Sequence, residues 1–243
     1  VEVGKDVTIK QLKEEGYKAF YVAIGCQGGR LPGVPGEDAE GVKIAVDFLH
    51  EATENHEQVI KGNVVVIGGG NTAMDSVRTA RRLGAERAMI IYRRSEAEMP
   101  ARLEEVKHAK EEGVEFLTLH NPIEYIADEK GRVKQVVLRK MELGEPDASG
   151  RRSPVAIEGA IETIDIDMAI VSVGVSPNPI VPHSVEGLEL GRKGTIAVDD
   201  DMRSSIPTLF AGGDIVRGGA TVILAMGDGR RAAAAMDKQL TQA

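Results

Sequence analysis

A chain of 243 residues can hold one large domain or two modest ones. Its 42% hydrophobic and 28% charged residues suit a soluble globular protein, and a formal net charge of −8 argues against a nucleic-acid partner. No apolar run reaches the length of a membrane span, and the single cysteine, Cys26, excludes an intrachain disulfide, a redox pair and a self-held iron–sulfur cluster.

In chain order, residues 17–25 predict a buried strand ending in Ala23-Ile24-Gly25, followed by a loop of glycine and proline at residues 30–36. Residues 64–67 are a bare apolar run, the pattern of a strand buried on both faces. A helix is predicted over residues 73–83, capped by Asn71 or Thr72 and stopped by Gly84, with Ala73, Val77, Ala80 and Leu83 on one face. Residues 88–92 form the second strand of this βαβ unit. Residues 100–112 predict another helix, with Leu103, Val106 and Ala109 in the apolar phase and Gly113 as its stop. A third strand at 114–119 and a hairpin of 123–128 with 132–138 follow. Residues 144–153 read as a polar loop, and 161–173 as an alternating return strand ending at Gly174. The last strand is expected at 208–214, leading through Gly218-Gly219-Ala220 into a helix from Thr221 to Lys238.

The chemistry concentrates after residue 67. Gly68, Gly70 and Ala73 fit G-x-G-x-x-G/A, placed between a strand and a helix as a dinucleotide-binding turn requires. The first glycine allows the tight turn, the second lets a pyrophosphate approach the backbone, and the small third residue lets the helix pack on the strand. The helix start offers N–H donors and a positive dipole end to phosphate. The alternative is a glycine turn that binds nothing. At the end of the second strand, where an NAD-binding domain carries Asp or Glu, this chain has Arg93-Arg94. Guanidinium groups pair with a 2′-phosphate, which favours NADP(H); the plainer reading is two solvated arginines. Arg81 and Arg82 read as surface residues of the helix. Cys26 reads as a small loop or core residue rather than a reactive thiol. His50, His56, His108, His120 and His183 show no metal-ligand spacing, and no catalytic His, Ser or Cys constellation stands out.

Taken with its flanks, the chain resembles the two-dinucleotide-binding-domain flavoprotein oxidoreductases, which include thioredoxin reductase and glutathione reductase. Within them it is most similar to the small (beta) subunit family of NADPH-dependent glutamate synthase. The resemblance runs through Val3-Gly4-Lys5-Asp6-Val7-Thr8, Val34-Pro35-Gly36-Glu37-Asp38, the turn from Gly68 to Asp75, Tyr92-Arg93-Arg94-Ser95, Glu98-Met99-Pro100-Ala101 and Phe210-Ala211-Gly212-Gly213-Asp214. It implies an α/β fold: a Rossmann-like NAD(P)-binding domain with a parallel sheet and an antiparallel meander, inserted into an incomplete FAD-binding Rossmann-like domain. The expected boundaries are 1–57 and 177–243 for the FAD-type domain and 58–176 for the NADPH domain. By the same resemblance, Gly68, Gly69, Gly70, Asn71, Thr72 and Ala73 hold the NADPH pyrophosphate, and Arg93 and Arg94 its 2′-phosphate. Asp214 accepts from the ribityl or ribose part of FAD. The N–H groups of Ala220, Thr221 and Val222 face the flavin's pyrimidine edge, and Gly25, Gly174 and Gly213 complete the cofactor-binding set. No metal ligand is implied.

The pattern departs from the family in lacking a first G-x-G-x-x-G and the upstream iron–sulfur cysteines. A fragment starting inside the FAD domain, or a natural split subunit, is the expected explanation. FAD binding is then weak or absent and the piece inactive alone, with an exposed sheet edge that invites a homodimer. The implied activity is NADPH-dependent electron transfer through FAD to iron–sulfur centres, for glutamate synthesis from 2-oxoglutarate and glutamine. The expected partner is the glutamate synthase large subunit or another iron–sulfur acceptor, with no membrane partner and a cytoplasmic setting. The flavin subunit of an NADP–ferredoxin oxidoreductase or of a pyrimidine reductase is an alternative. A self-contained NADP-dependent dehydrogenase and a non-catalytic NADPH sensor are rivals. Bound flavin reduced by NADPH separates the flavoenzyme from the sensor.

Overall fold

A computed structural model describes residues 1–55 and 57–242, so His56 lies outside the described residues. The chain carries α1 (Ile9–Glu14), β1 (Phe20–Val22), β2 (Gly28–Gly29), β3 (Val42–Ile44), α2 (Ala45–Glu54), β4 (Asn63–Ile67), α3 (Asn71–Arg82) and β5 (Arg87–Tyr92). Then come α4 (Leu103–Glu111), β6 (Glu115–Thr118), β7 (His120–Ala127), β8 (Val133–Pro146), β9 (Arg152–Asp165) and β10 (Met168–Val171). The last part holds β11 (Val175–Ser176), α5 (Ile180–Ser184), β12 (Leu209–Ala211), α6 (Asp214–Arg217) and α7 (Val222–Thr241). Two units form. One is continuous, Gly29–Val173; the other combines Val1–Gly28 with Gly174–Ala243.

The continuous unit is an α/β layer structure around a parallel sheet in the order β3-β10-β4-β5-β6. Alternate residues of its strands enter two different cores. Val64, Val66, Ile90 and Ile170 pack with Phe48, Ala73, Val77 and Val106 of the helices. Val65, Ile67, Met89, Ile91 and Ala169 pack with Tyr125, Val133, Val136 and Leu138 of the antiparallel meander β7-β8-β9. Both faces are covered, which is why the strand residues are apolar without alternation.

Several elements differ from the sequence expectation. Strand β3 and helix α2 were not among the predicted elements. Yet Ala45 and Phe48 are buried and Leu49 packs beside them, an i, i+3, i+4 spacing that gives the helix one inward side. Helix α4 begins at Leu103 rather than residue 100, because the preceding residues turn back: the Ala101 N–H donates to Gly69 O (3.1 Å) and the Arg102 N–H to Asn71 Oδ1 (2.9 Å). Leu103 is 87% exposed, outside the apolar face that Val106 and Ala109 bury.

Half of the expected polar loop at 144–153, residues 144–146 and 152–153, is strand. Its residues extend β8 and β9 into a two-stranded ribbon open to solvent, so no apolar alternation marks them. The reversal is confined to residues 147–151, where Asp147 Oδ1 accepts the N–H groups of Ser149 (2.8 Å) and Arg151 (3.3 Å). The long run 161–173 divides at Asp167. Its N–H donates to Asn63 O (2.8 Å) and its Oδ2 accepts the Asn63 N–H (2.8 Å), so the chain leaves the meander and enters the parallel sheet there.

In the other unit β1 pairs in parallel with β12, Phe20 opposite Leu209 and Val22 opposite Ala211. The expected strands 17–25 and 208–214 are regular only over those three-residue stretches. Ile9, Val22, Val181, Ile196, Leu209, Ala211 and Ile215 form the core, and Phe210 packs with Met202, Ala232 and Ala235. Helix α1 carries a capping box of Thr8 with Gln11, a signal present in the sequence as Thr-x-x-Gln but absent from the reading above.

Candidate functional site

The glycine turn leaves β4 at Ile67. Gly68 has φ +150, and a Cβ on it would lie 2.3 Å from Ser172 O; the Gly68 N–H donates to Ile91 O (3.0 Å). Gly69 is equally confined, since a Cβ would meet the Tyr92 ring at 2.7 Å. Gly70 is different: a Cβ there would meet only Pro100 Cγ, at 3.9 Å. The turn therefore has two glycines that serve packing and one that leaves its surface open.

Gly70 is the N-cap of α3, and no side chain caps the helix. This corrects the expectation that Asn71 or Thr72 does so. Both are helical: Asn71 Oδ1 is taken by Arg102, and Thr72 O accepts Ser76 Oγ–H (2.8 Å). The Ala73 and Met74 N–H groups bond Gly70 O (3.0 and 3.1 Å). The N–H groups of Gly70, Asn71 and Thr72 have no acceptor among the described residues. Three donors thus converge at the positive end of a 12-residue helix, a natural seat for phosphate. Ala73 is fully buried in the helix-side core, where a small residue allows the close approach of α3 to the sheet.

The two arginines after β5 have different surroundings. Arg93 is exposed and makes no hydrogen bond or ion pair among the described residues. Arg94 is 6% exposed; its Nε–H donates to Arg152 O (2.8 Å) and its Nη2–H to Asp147 Oδ2 (2.5 Å). The loop between them and α4 is tied down by Tyr92 Oη–H to Glu98 O (2.9 Å) and by a short Ser95–Glu98 side-chain bond. Arg81 and Arg82 serve the opposite end of α3. Arg81 donates to Ala85 O (2.8 Å) and Arg82 to Glu112 Oε1 (2.6 Å). Arg78 joins Glu105 and Glu112, and its hydrogen bond holds the Glu112 carboxyl below the usual carboxylate range. Asp75 is pushed up, first by burial and then by Glu105.

In the discontinuous unit, Gly25 and Gly213 adopt left-handed φ of +67 and +74, and Gly174 has φ +121. Asp214 Oδ1 accepts the Ala220 N–H (3.1 Å), and its carbonyl accepts from Gly218 N–H (2.8 Å) and Cys26 Sγ–H (3.1 Å). The Ala220 donor is therefore used within the chain. Thr221 caps α7, with its Oγ1 accepting from Leu224 N–H (3.5 Å), and Val222 is 75% exposed. The N–H groups of Thr221 and Val222 have no acceptor among the described residues.

Sequence reasoning missed Asp228. It is fully buried and accepts from Gly213 N–H (3.0 Å), Arg217 Nε–H (2.7 Å) and Nη2–H (2.6 Å), and Arg231 Nη2–H (2.7 Å). The Arg217 hydrogen bonds above all hold its carboxyl far below the usual range. Gly212 admits this arrangement, since a Cβ would lie 2.7 Å from Asp228 Cβ and 2.3 Å from Tyr21 Oη. The available signal was an aspartate between two glycines in an otherwise apolar helix start, with Arg230-Arg231 beside it. Among the described residues no three His, Cys, Asp or Glu side chains gather as round a metal ion, and no helix is long and apolar enough to cross a membrane.

The sequence profile described as pyridine nucleotide-disulphide oxidoreductase matches residues 1–229. The chain is 42% identical over 245 residues to the beta subunit of NADP(+)-dependent formate dehydrogenase from Moorella thermoacetica, covering 99% of this chain and 34% of that protein. It is 38% identical over 247 residues to the glutamate synthase [NADPH] small chain of Halomonas elongata, covering 96% of this chain and 52% of that one. It thus spans between about a third and a half of the length of these curated relatives. The structure of Mycobacterium tuberculosis FprA in complex with NADPH is similar with a TM-score of 0.79, at 23% identity over 100% of this chain and 68% of that chain. At that identity the likeness is one of fold.

Proposed function

The chain belongs to the pyridine nucleotide-disulphide oxidoreductase family, and from that premise we propose that it is the NADPH-binding portion of a flavin-dependent oxidoreductase. Nicotinamide and flavin, when bound, supply the hydride and electron-transfer chemistry themselves. The residues of this chain bind and orient. The observation that carries the reading is the open face of Gly70 beside the unpaired N–H groups of Asn71 and Thr72, at the end of a strand buried on both sides. These donors fit a pyrophosphate. Gly68 and Gly69 hold the turn against Ser172 and Tyr92, and Ala73 keeps α3 on the sheet. The segment after β5 that carries Arg93 and Arg94 is where guanidinium recognition of a 2′-phosphate belongs.

On the flavin side, Asp214 offers its second carboxylate oxygen to sugar-alcohol hydroxyls. Thr221 and Val222 N–H groups, at the start of a 20-residue helix, suit the electron-rich edge of a reduced ring. Gly25, Gly174 and Gly213 keep the backbone free of side chains there.

The finer assignment is delivery of electrons to iron–sulfur centres of a glutamate synthase large subunit, supported by the likeness to the Halomonas small chain. The higher identity to a formate dehydrogenase beta subunit supports a second reading, a different iron–sulfur acceptor with the same NADPH end. Fluorescence titration of the chain with NADPH and with NADH tests the common part. NADPH is expected to bind more tightly, and equal affinities overturn the proposal.

A further inference from the structure

The adjacent arginines are not equivalent, and the difference reaches the tip of the meander. Arg94 is buried and triply fixed: Nε–H to Arg152 O, Nη2–H to Asp147 Oδ2, and its own carbonyl accepting Leu119 N–H (3.1 Å). Asp147 divides its two oxygens between tasks. Oδ1 closes the hairpin reversal on Ser149 and Arg151, while Oδ2 faces Arg94. Arg93, one residue away, is exposed and unengaged among the described residues. A guanidinium already neutralised by a carboxylate at 2.5 Å is poorly available to a second anion, whereas an unpaired one beside the glycine turn is free to take it.

We infer that Arg93 is the residue that selects for the cofactor's 2′-phosphate, and that Arg94 and Asp147 are positioning residues that fix the Arg93 loop to the β8–β9 hairpin tip. This rests on the proposed NADPH reading of the turn and deepens it. It assigns a role in cofactor choice to a hairpin whose sequence looks like a polar loop. Binding geometry held by a second layer of contacts loses selectivity before it loses fold when that layer is weakened.

The test is a double-mutant cycle on the full chain, with NADPH and NADH affinities measured by fluorescence titration and folding followed by thermal melting. Arg93→Ala is expected to weaken NADPH on the order of 10- to 100-fold and leave NADH within about twofold. Asp147→Asn keeps the Oδ1 acceptor of the hairpin reversal but turns the group facing Arg94 into a donor. It is expected to weaken NADPH about three- to tenfold, leave NADH unchanged, and have no further effect on NADPH once Arg93 is alanine. Asp147→Glu, which restores the charge, should recover part of the loss. Effects of Asp147→Asn that are equal for both cofactors, or additive with Arg93→Ala, would show a purely structural role and overturn the inference. Tighter NADPH binding by Asp147→Asn would overturn it too, by showing that Arg94 is the phosphate ligand once released. Wild-type chain that does not prefer NADPH refutes the underlying reading instead, so the two failures are distinct.

Discussion

The turn at residues 68–73 and the turn at 212–214 both pass from a short strand through glycines to a helix, yet they end in opposite electrostatic states. At Gly70 the donors of the helix start are left without acceptors in the chain. At Gly213 the N–H is bonded to buried Asp228, and Ala220 N–H is bonded to Asp214. The first turn leaves its positive end open. The second brings its own anions and spends several donors on them. Glycine content alone does not separate the two; the placement of carboxylates does.

Four substitutions sharpen or break this contrast. The largest effect is expected within the first turn. Gly68→Ala should destabilise the protein by about 2–3 kcal/mol, because the added Cβ would overlap Ser172 O at a left-handed φ. Gly70→Val, by contrast, should leave the melting temperature almost unchanged and weaken NADPH and NADH alike by on the order of 100-fold, since its side chain fills the open face. Equal melting temperatures for the two variants would erase the distinction between packing glycine and binding glycine.

A smaller effect is expected at Asp228. Its carboxyl is depressed in the folded state, so its contribution is complete above the ordinary aspartate value of about 3.9 and is lost as pH falls through the folded value. Asp228→Asn should therefore be less stable than wild type by about 1–2 kcal/mol at pH 7. The gap should narrow progressively below about pH 4. A gap that stays constant to low pH would remove the charge from the explanation of the second turn. The smallest effect belongs to Arg82→Ala, which should change NADPH affinity by less than about twofold, because Arg82 pairs with Glu112 at the far end of α3.

Much of this was readable in the sequence where one physical cause dominates. Residues 64–67 are apolar on both faces because helices cover one side and the meander the other, and the first glycine of the motif, Gly68, is required because Ser172 O crowds the turn there. Arg93-Arg94 was visible as a pair, but the division between them was not. It depends on Asp147, 53 residues downstream from Arg94 in a stretch that looks like a loop. Helix α2 escaped notice because only one side of it meets the core, through Ala45, Phe48 and its neighbour Leu49. Asp228 escaped because its partners, Gly213 and Arg217, come from another element, and an aspartate near a helix start reads as solvated.

Leu119 carries a further consequence. It stands in the left-handed region, φ +57, where the chain passes from β6 of the parallel sheet to β7 of the meander. Its N–H bonds the Arg94 carbonyl, and its own carbonyl receives the Met141 N–H (2.8 Å). One residue thus ties strand β8, at Met141, and the arginine loop, at Arg94, to the same crossing point. A slip of one step along β8 there would carry the loop with it. If Arg93 has the role proposed for it, an error of strand alignment at that point would be felt as an error of ligand choice.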